Sequence, residues 1–437
     1  MHNHYTNDLI EIKDEGTIIY DSFTENGEKH IYIEQKKREH TCPRCGETTS
    51  RVHDYRVRKI KHQYNLGNKT YLHYRRRRYV CIHCGKRFAE NNSFVEKHHK
   101  ISIHTKKVIF QEYQYKQSTK DIADRLNISS HTVMRHVKKH ISIKRAALPE
   151  VLSIDEFKNL SEGDGKYAFL MVDPIHKKVI DVFPNRRKHN LIRYFSKIPM
   201  EERKQVKYVI SDLWDPYRML VKKVFPNALL VADKYHFIRQ LYWGLQDIRI
   251  RVMKKQAKHS IEYYVLKKYW TFFLKYTHNL SLKHFKSHRL GYHITPNEIV
   301  DMAKAIDPDL KLAIELKDEF YELLHSTDFD QAQEAFDQFN FKLKQSKLPE
   351  YQIVYKTFKN WRQEILHSFI SYTNQETGEL CSLTNGFIEG LNNKVKALKK
   401  IAFGYPNFNN FKLKIYACTN ANITFTFTQQ KNRQYTG

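Results

Sequence analysis

The sequence predicts a multidomain α+β protein. A cysteine-bearing module and a helix-turn-helix come first, followed by an α/β domain on a mixed five-stranded sheet that an all-α insertion interrupts. Three observations predict it. Two Cys-x-x-Cys-Gly motifs stand 35 residues apart near the start. Two short helical patterns flank a tight turn between residues 118 and 139, and from Val151 onward strand-length apolar runs alternate with helical text. The expected order is an acidic β-rich segment at 1–38, a four-cysteine module at 39–95, the helix-turn-helix at 96–145, the first part of the α/β core at 150–240, the helical insertion at 241–378 and the last part of the core at 379–437.

Composition narrows the partners. The chain has 437 residues, with 75 Lys+Arg against 47 Asp+Glu, a net of +28. Residues 36–145 hold 28 basic and 8 acidic residues, a net of +20, whereas residues 1–35 are acidic. Charge of this density favours a polyanion, with nucleic acid ahead of a membrane surface. No apolar run nears the ~18 residues of a membrane span, and the first residues have no apolar signal core. A cytoplasmic protein, at the nucleoid when bound to DNA, is expected. Six cysteines are too few for a disulfide scaffold.

Cys42-Pro43-Arg44-Cys45-Gly46 and Cys81-Ile82-His83-Cys84-Gly85 are two copies of one device. Each brings two thiolates together, and the glycine lets the chain turn tightly behind them. Two such knuckles supply Cys42, Cys45, Cys81 and Cys84 to one tetrahedral zinc ion, structural because no ligand position stays open. The intervening residues leave room for a hairpin, with Tyr71 to Val80 as its return strand. That strand carries Arg75, Arg76, Arg77 and Arg78, expected to meet DNA. Cys381 and Cys418 read as buried thiols.

Ser118-Thr119-Lys120-Asp121 is a capping box, and Ile122, Ala123 and Leu126 give the helix behind it an apolar face. Asn127 suits the left-handed residue that ends a helix. Ser129 then caps a second helix, in which Val133 and Val137 face inward. Its outward face holds Ser130, His131, Thr132, Arg135, Lys138 and Lys139, short polar groups and cations suited to base edges and phosphates.

Val151 to Asp155, Tyr167 to Asp173 and Val179 to Phe183 read as three strands. A helix, the strand Val206 to Asp212, a second helix and the strand Ala228 to Ala232, ending at Asp233, follow. The order βββαβαβα is that of a ribonuclease H-like domain, which sets Asp155 and Asp212 side by side on adjacent strands. Much later, Asn385 to Lys400 is helical. Asn385, Glu389, Asn393, Lys396 and Lys400 fall on one face, and Phe387, Leu391, Val395 and Leu398 on the other. Glu389 can lean over the strand ends, and Lys396 beside it suits DNA. Three converging hard oxygen ligands are what two Mg²⁺ ions need for in-line phosphoryl transfer, and Mn²⁺ is expected to substitute.

Between Asp212 and Glu389 lie 176 residues, far more than one strand and one helix require. The insertion reads as helical, as in Ile306 to Leu324 and Gln331 to Leu343. Its aromatics include Tyr242, Trp243, Tyr269, Trp270, Phe272, Phe273 and Trp361. Most read as core, and one or two suit stacking on an unpaired base.

Taken in order, these motifs resemble bacterial insertion-sequence transposases of the DDE class, most closely the ISL-three family. The resemblance is carried by the two cysteine knuckles with the Arg-rich stretch, the helix-turn-helix, Ile154-Asp155-Glu156-Phe157, Ser211-Asp212-Leu213-Trp214-Asp215-Pro216-Tyr217, Ala232-Asp233-Lys234-Tyr235-His236 and the 385–400 helix. It implies that Asp155, Asp212 and Glu389 are the acidic triad. It implies too that the N-terminal modules bind terminal inverted repeats and that the element is cut and transferred. Asp233 and His236 resemble an Asp-x-x-His element of other DDE transposases; these two, with Asn385 and Asn393, are expected to support the acids or position DNA. A bare structural Asp–His hydrogen bond is the alternative for that pair. Glu156 and Asp215 flank the triad and are the nearest rivals for its places.

The function expected is a transposase acting on double-stranded DNA, at both element ends and target, as a homodimer or higher oligomer. The alternatives are a DNA-binding regulator on the same scaffold and a resolvase-type nuclease. Three clustered acids count against the first, and two N-terminal recognition modules against the second.

Overall fold

The computed structural model describes residues 12, 16–65, 67–160, 165–325, 329–401, 405, 407–419 and 423–425. Its chain divides into two compact units, Met1–Arg145 with Lys394–Gly437, and Ala146–Asn393.

In the first unit, β1 (Thr17–Glu25) and β2 (Glu28–Gln35) form a hairpin that turns at Asn26 and Gly27, both with positive φ. Two tiny strands, β3 (His40–Thr41) and β4 (Thr48–Thr49), frame the first knuckle. A long hairpin follows, β5 (Val52–Asn65) and β6 (Asn68–Val80), and β6 also pairs in parallel with β2 and antiparallel with β7 (Arg87–Ala89). The expected 1–38 segment therefore shares a sheet with the hairpin between the knuckles. Alternation explains it: Ile31 and Ile33 on β2 and Leu72 and Tyr74 on β6 are buried with Ile60, Phe94 and Val95.

The helices α1 (Ile103–Tyr113), α2 (Thr119–Arg125) and α3 (Ser130–His140) form the helix-turn-helix. Ser118 and Asp121 make the reciprocal capping box, each N–H to side-chain oxygen 3.0 Å. Asn127 takes φ 53°, and Ser129 Oγ accepts the Thr132 N–H at 3.2 Å. Caps of this kind contribute about 1 kcal/mol each. Ile122, Ala123, Leu126, Val133 and Val137 close the core with Ile109, Phe110 and Tyr113. The helix Phe408–Thr419 lies in this same unit: Ala417 enters that core, and Lys414 Nζ donates to the carbonyls of Tyr113 and Tyr115 at 2.8 and 2.9 Å. Residues Ile423–Phe425 pair with β8 (Ile141–Ile143). The sequence places this segment with the catalytic core; here it closes the helix-turn-helix.

The second unit begins with three antiparallel strands, β9 (Val151–Lys158), β10 (Tyr167–Asp173) and β11 (Lys178–Phe183). After α4 (Lys188–Phe195) and α5 (Met200–Lys204) come β12 (Tyr208–Ser211), α6 (Asp215–Val224) and β13 (Leu229–Ala232). The sheet order is β11-β10-β9-β12-β13, with β12 parallel to both neighbours. This is the mixed five-stranded sheet the sequence predicts.

The next helix, α7 (Lys234–Lys255), starts directly at the end of β13 and runs past residue 240, so the boundary expected there falls inside one continuous helix. The insertion continues with α8 (Ile261–Lys268), α9 (Trp270–Leu274), α10 (Pro296–Ile306), α11 (Pro308–Leu324), α12 (Phe329–Gln345), α13 (Pro349–Asn360) and α14 (Arg362–His367). The helix expected over 306–324 begins only at Pro308, because Asp307 caps it, accepting the Asp309 N–H at 2.9 Å. Sheet and insertion share one core, in which Ile154, Phe169 and Phe195 are buried with Phe320, Phe339 and Leu343. At Gly244 on α7 a Cβ would stand 2.9 Å from the Tyr351 ring of α13. The last helix of interest is α15 (Gly386–Ile401). No helix among the described residues is long and apolar enough to cross a membrane.

Candidate active site and metal centre

The acids gather where β12 and β13 end, beside the middle of β9. Ser153 on β9 pairs with Ile210 on β12, so Asp155 and Asp212 stand two residues further along each strand. Burial and the charge of Asp212 push the Asp155 carboxyl up to about 7, with Glu156 adding to the rise. Asn392 of α15 donates from its side chain to Asp155 Oδ2, and the Glu156 N–H donates to Oδ1 at 2.7 Å. Asp212 Oδ1 lies 2.8 Å from His236 Nε2. Burial alone would lower His236, but the hydrogen bond and charge of Asp212, with Asp233, raise it.

Asp233 stands at the N-cap position of α7, directly after β13, makes no side-chain capping bond and is buried. Burial pushes it up to about 6, the charges of Glu389 and Asp212 adding to the effect and His236 opposing it. Asp212, Asp233 and His236 offer ligand atoms within 4.8 Å of one another. Asp155 and Glu389 lie outside that group of three; the charge of Asp212 acts on Asp155, and that of Glu389 on Asp233. Glu389, half-buried, lies in the first turn of α15.

Several placements differ from the sequence reading. His236 bonds Asp212, while its separation from Asp233 is 3.8 Å, so the local Asp–His pair is not the principal contact. Asn393 is exposed, and its neighbour Asn392 reaches Asp155 instead. The buried stripe of α15 runs Ile388, Leu391, Val395, Leu398, with Phe387 only half-buried, and Asn392 adjoins that stripe. Asn385 is buried, its backbone N–H bonding Asp233. Glu156 belongs to β9, which continues to Lys158; it pairs with Arg186 and accepts the Tyr217 hydroxyl at 2.6 Å. Asp215 is exposed in the first turn of α6, 3.4 Å from Arg218. Cys381 is half-exposed, whereas Cys418 is buried as expected.

The four knuckle thiols also converge. Cys42 Sγ lies 3.6 Å from Cys84 Sγ and Cys45 Sγ 3.5 Å from Cys81 Sγ, and all four fall within 4.8 Å of one another. Gly46 and Gly85 take φ of 79° and 68°, and their N–H groups close each knuckle on the carbonyls of Cys42 and Cys81 at 3.0 Å. Four soft donors at this spacing fit one tetrahedral zinc ion and leave no position open.

Basic side chains spread over the first unit. Arg135, Lys138, Lys139, Ser130 and His131 are exposed on α3, and Thr132 is half-buried with its hydroxyl 2.9 Å from Ser129. The Arg75–Arg78 run splits by the partners that each side chain finds. Arg75 is exposed, Arg76 bonds the Glu90 carbonyl, and Arg78 pairs with Asp54 at 2.9 Å. Arg77 is buried against Glu34 and Glu90, at 3.1 and 3.8 Å, which removes it from any DNA surface. Strand β5 supplies cations that the sequence reading missed: Arg56, Arg58, Lys59 and Lys61 line a groove with Arg76 and Arg78. Their signal was the alternation Arg56-Val57-Arg58-Lys59-Ile60-Lys61. Lys396 on α15 is exposed.

Clustered carboxylates on a mixed sheet, in a chain with a four-thiol module and a basic helix-turn-helix, define the class of DNA-processing enzymes. The chain belongs to the ISL3 family of transposases: the family's DDE transposase model matches residues 152–415. A second model, the zinc-finger of the IS204/IS1001/IS1096/IS1165 transposases, matches residues 38–84. The chain is 23% identical over 392 residues to the transposase for insertion sequence element IS1001 of Bordetella parapertussis, covering 89% of this chain and 90% of that one. It is also 30% identical over 124 residues to a protein named ATP-dependent protease from Lactococcus lactis subsp. lactis, a match confined to 28% of this chain and 35% of that one.

Proposed function

We propose that the protein binds the terminal inverted repeats of its own insertion sequence and cleaves and joins DNA by a two-metal DDE mechanism. In this reading the α/β core is a ribonuclease H-like domain, and Asp155, Asp212 and Glu389 hold two Mg²⁺ ions. The observation that carries it is the position of Asp155 and Asp212, each two residues beyond the paired Ser153 and Ile210 on neighbouring strands, with Asp155 pushed up to about 7 by burial and the charge of Asp212. Hard oxygen donors presented from neighbouring strands, with unlike protonation forced on them by burial and like charge, suit a divalent ion.

Two such ions, when bound, activate the attacking hydroxyl and steady the leaving oxygen. The protein's own groups keep the donors in place. Asn392 fixes one oxygen of Asp155 and the Glu156 N–H the other, while His236 holds Asp212. Glu156, already paired with Arg186 and bonded by the Tyr217 hydroxyl, serves as a strut.

The zinc and helix-turn-helix modules read the element ends, with Arg135, Lys138, Lys139 and the β5–β6 cations on phosphates and base edges. Joining two ends requires at least a homodimer on DNA, at the nucleoid in the cytoplasm. The test is incubation of DNA spanning the gene and its flanks with purified protein and Mg²⁺, beside Asp212→Asn. Mirrored cleavage at two positions with the intact protein alone supports the reading; tight, salt-sensitive binding with no metal-dependent cut refutes it in favour of a regulator.

A further inference from the structure

Beyond the acid cluster, α7 carries a pocket that the chemistry above does not use. Tyr235, Arg239 and Trp243 follow one another at helical spacing, and Tyr242, Gln246 and Trp270 help to line an open space of about 540 Å³. Its rings are unusually bare: Tyr235 is 55% exposed, Trp243 52% and Trp270 41%. The neighbouring Tyr269, Phe273 and Trp361 are buried, so these three are not spare core.

Arg239 ties the pocket to the acids. Its guanidinium lies 4.6 Å from the Trp243 ring centre and 5.2 Å from that of Tyr235, and its Nη2 is 3.1 Å from His236 Nδ1. His236 in turn bonds Asp212. Arg239 Nε is buried with no hydrogen-bond partner among the described residues. Flat rings, an under-used cation and an amide beside a phosphate-handling site match a nucleobase: a π face to stack and a polar edge to bond. An apolar peptide would leave the cation unanswered.

Resting on the transposase reading, we infer that this pocket takes one unpaired nucleobase of the DNA strand handled at the acid cluster, stacked on Trp243 and bonded at its edge by Arg239 and Gln246. Extruding that base opens the duplex beside the scissile phosphate. A mismatched or abasic end, in which extrusion costs less, is therefore cut faster than a paired one when the pocket is weakened.

The test uses a twelve-nucleotide oligodeoxythymidylate bearing 5-iodouracil, photocrosslinked to the full chain without Mg²⁺ and mapped by mass spectrometry. Crosslinks at Tyr235, Trp243 or Trp270 are expected, in the intact protein and in Asp212→Asn alike. Trp243→Leu should reduce them roughly tenfold, and Trp243→Phe less. Trp243→Leu should also slow cleavage of paired element ends roughly tenfold, with a mismatch at the flanking base restoring the rate. Crosslinks mapping outside the pocket, or undiminished by Trp243→Leu, overturn the inference even where Mg²⁺-dependent cleavage is intact. Crosslinks in the pocket with no cleavage of element ends leave it standing and overturn the transposase reading instead.

Discussion

Asn392 hydrogen-bonds Asp155 from 237 positions further along the chain. It sets the orientation of the most perturbed carboxylate in the site. Replacing it with alanine should free that carboxylate and cut DNA cleavage by about 10- to 100-fold, the range typical of lost ligand-orienting contacts. End binding, measured by gel shift on the same DNA, should not change. Equal losses in both would make Asn392 a folding residue.

Arg77 should behave unlike its three neighbours. It is the buried partner of Glu90, whose side chain is fully buried and also accepts from Tyr74 at 2.7 Å. Removing it leaves carboxylates uncompensated, so Arg77→Ala should cost about 3–5 kcal/mol in denaturant unfolding. Arg135→Ala and Lys138→Ala should leave stability alone and weaken DNA binding, each lowering the salt slope by about 1. A stable Arg77→Ala protein with weakened DNA binding would reverse the assignment.

The four thiols should bind one zinc ion per chain, measurable by elemental analysis. Cys45→Ser should lose it, together with several of the roughly 10–16 kcal/mol such sites contribute. The melting temperature should fall, and DNA end recognition with it. Unchanged zinc content would exclude the four-thiol site.

His136, buried on the inner side of α3, is lowered to about 4 by burial, with the charges of Lys106, Arg135 and His140 acting the same way and Glu96 opposing. The folded state therefore binds fewer protons than the unfolded one. The stability contribution is complete above the ordinary value near 6.5 and is lost as pH falls from there toward 4. The loss should be on the order of 1–2 kcal/mol, allowing for screening. Thermal melts between pH 7 and 4.5 should show a shallower fall in His136→Phe than in the parent.

Gly244→Ala should destabilise by about 1–3 kcal/mol, because the added methyl meets the Tyr351 ring at 2.9 Å. Combining it with Tyr351→Leu should recover part of the loss.

What could be read from the sequence was local. The knuckles, the capping box at Ser118 and the left-handed Asn127 depend on neighbours within four residues, and they stand as written. The succession of strands along the chain, too, followed from the run of apolar segments. Choices that depend on distant partners went astray. Arg77 looks like any cation in its run until Glu34 arrives on a strand 43 positions earlier. Periodicity alone put Asn393 on the face with Glu389, but the buried stripe through Ile388 turns Asn392 toward the acids. The alternative for His236, a bare bond to the acid three residues before it, gives way for the same reason, because the sheet delivers Asp212 closer.

The shared core of sheet and insertion limits how this molecule can be edited. Asp233 and His236 sit at the start of the same helix that Gly244 locks against Tyr351, with Phe320 and Leu343 sealed in one interior with Ile154. The helical layer therefore cannot be spliced out to leave a minimal nuclease, as a peripheral cassette could be. Substitutions on its outer face should be tolerated, whereas those on its inner face should require matching changes in the strands. Swapping this layer between relatives should succeed only when β9 to β13 travel with it.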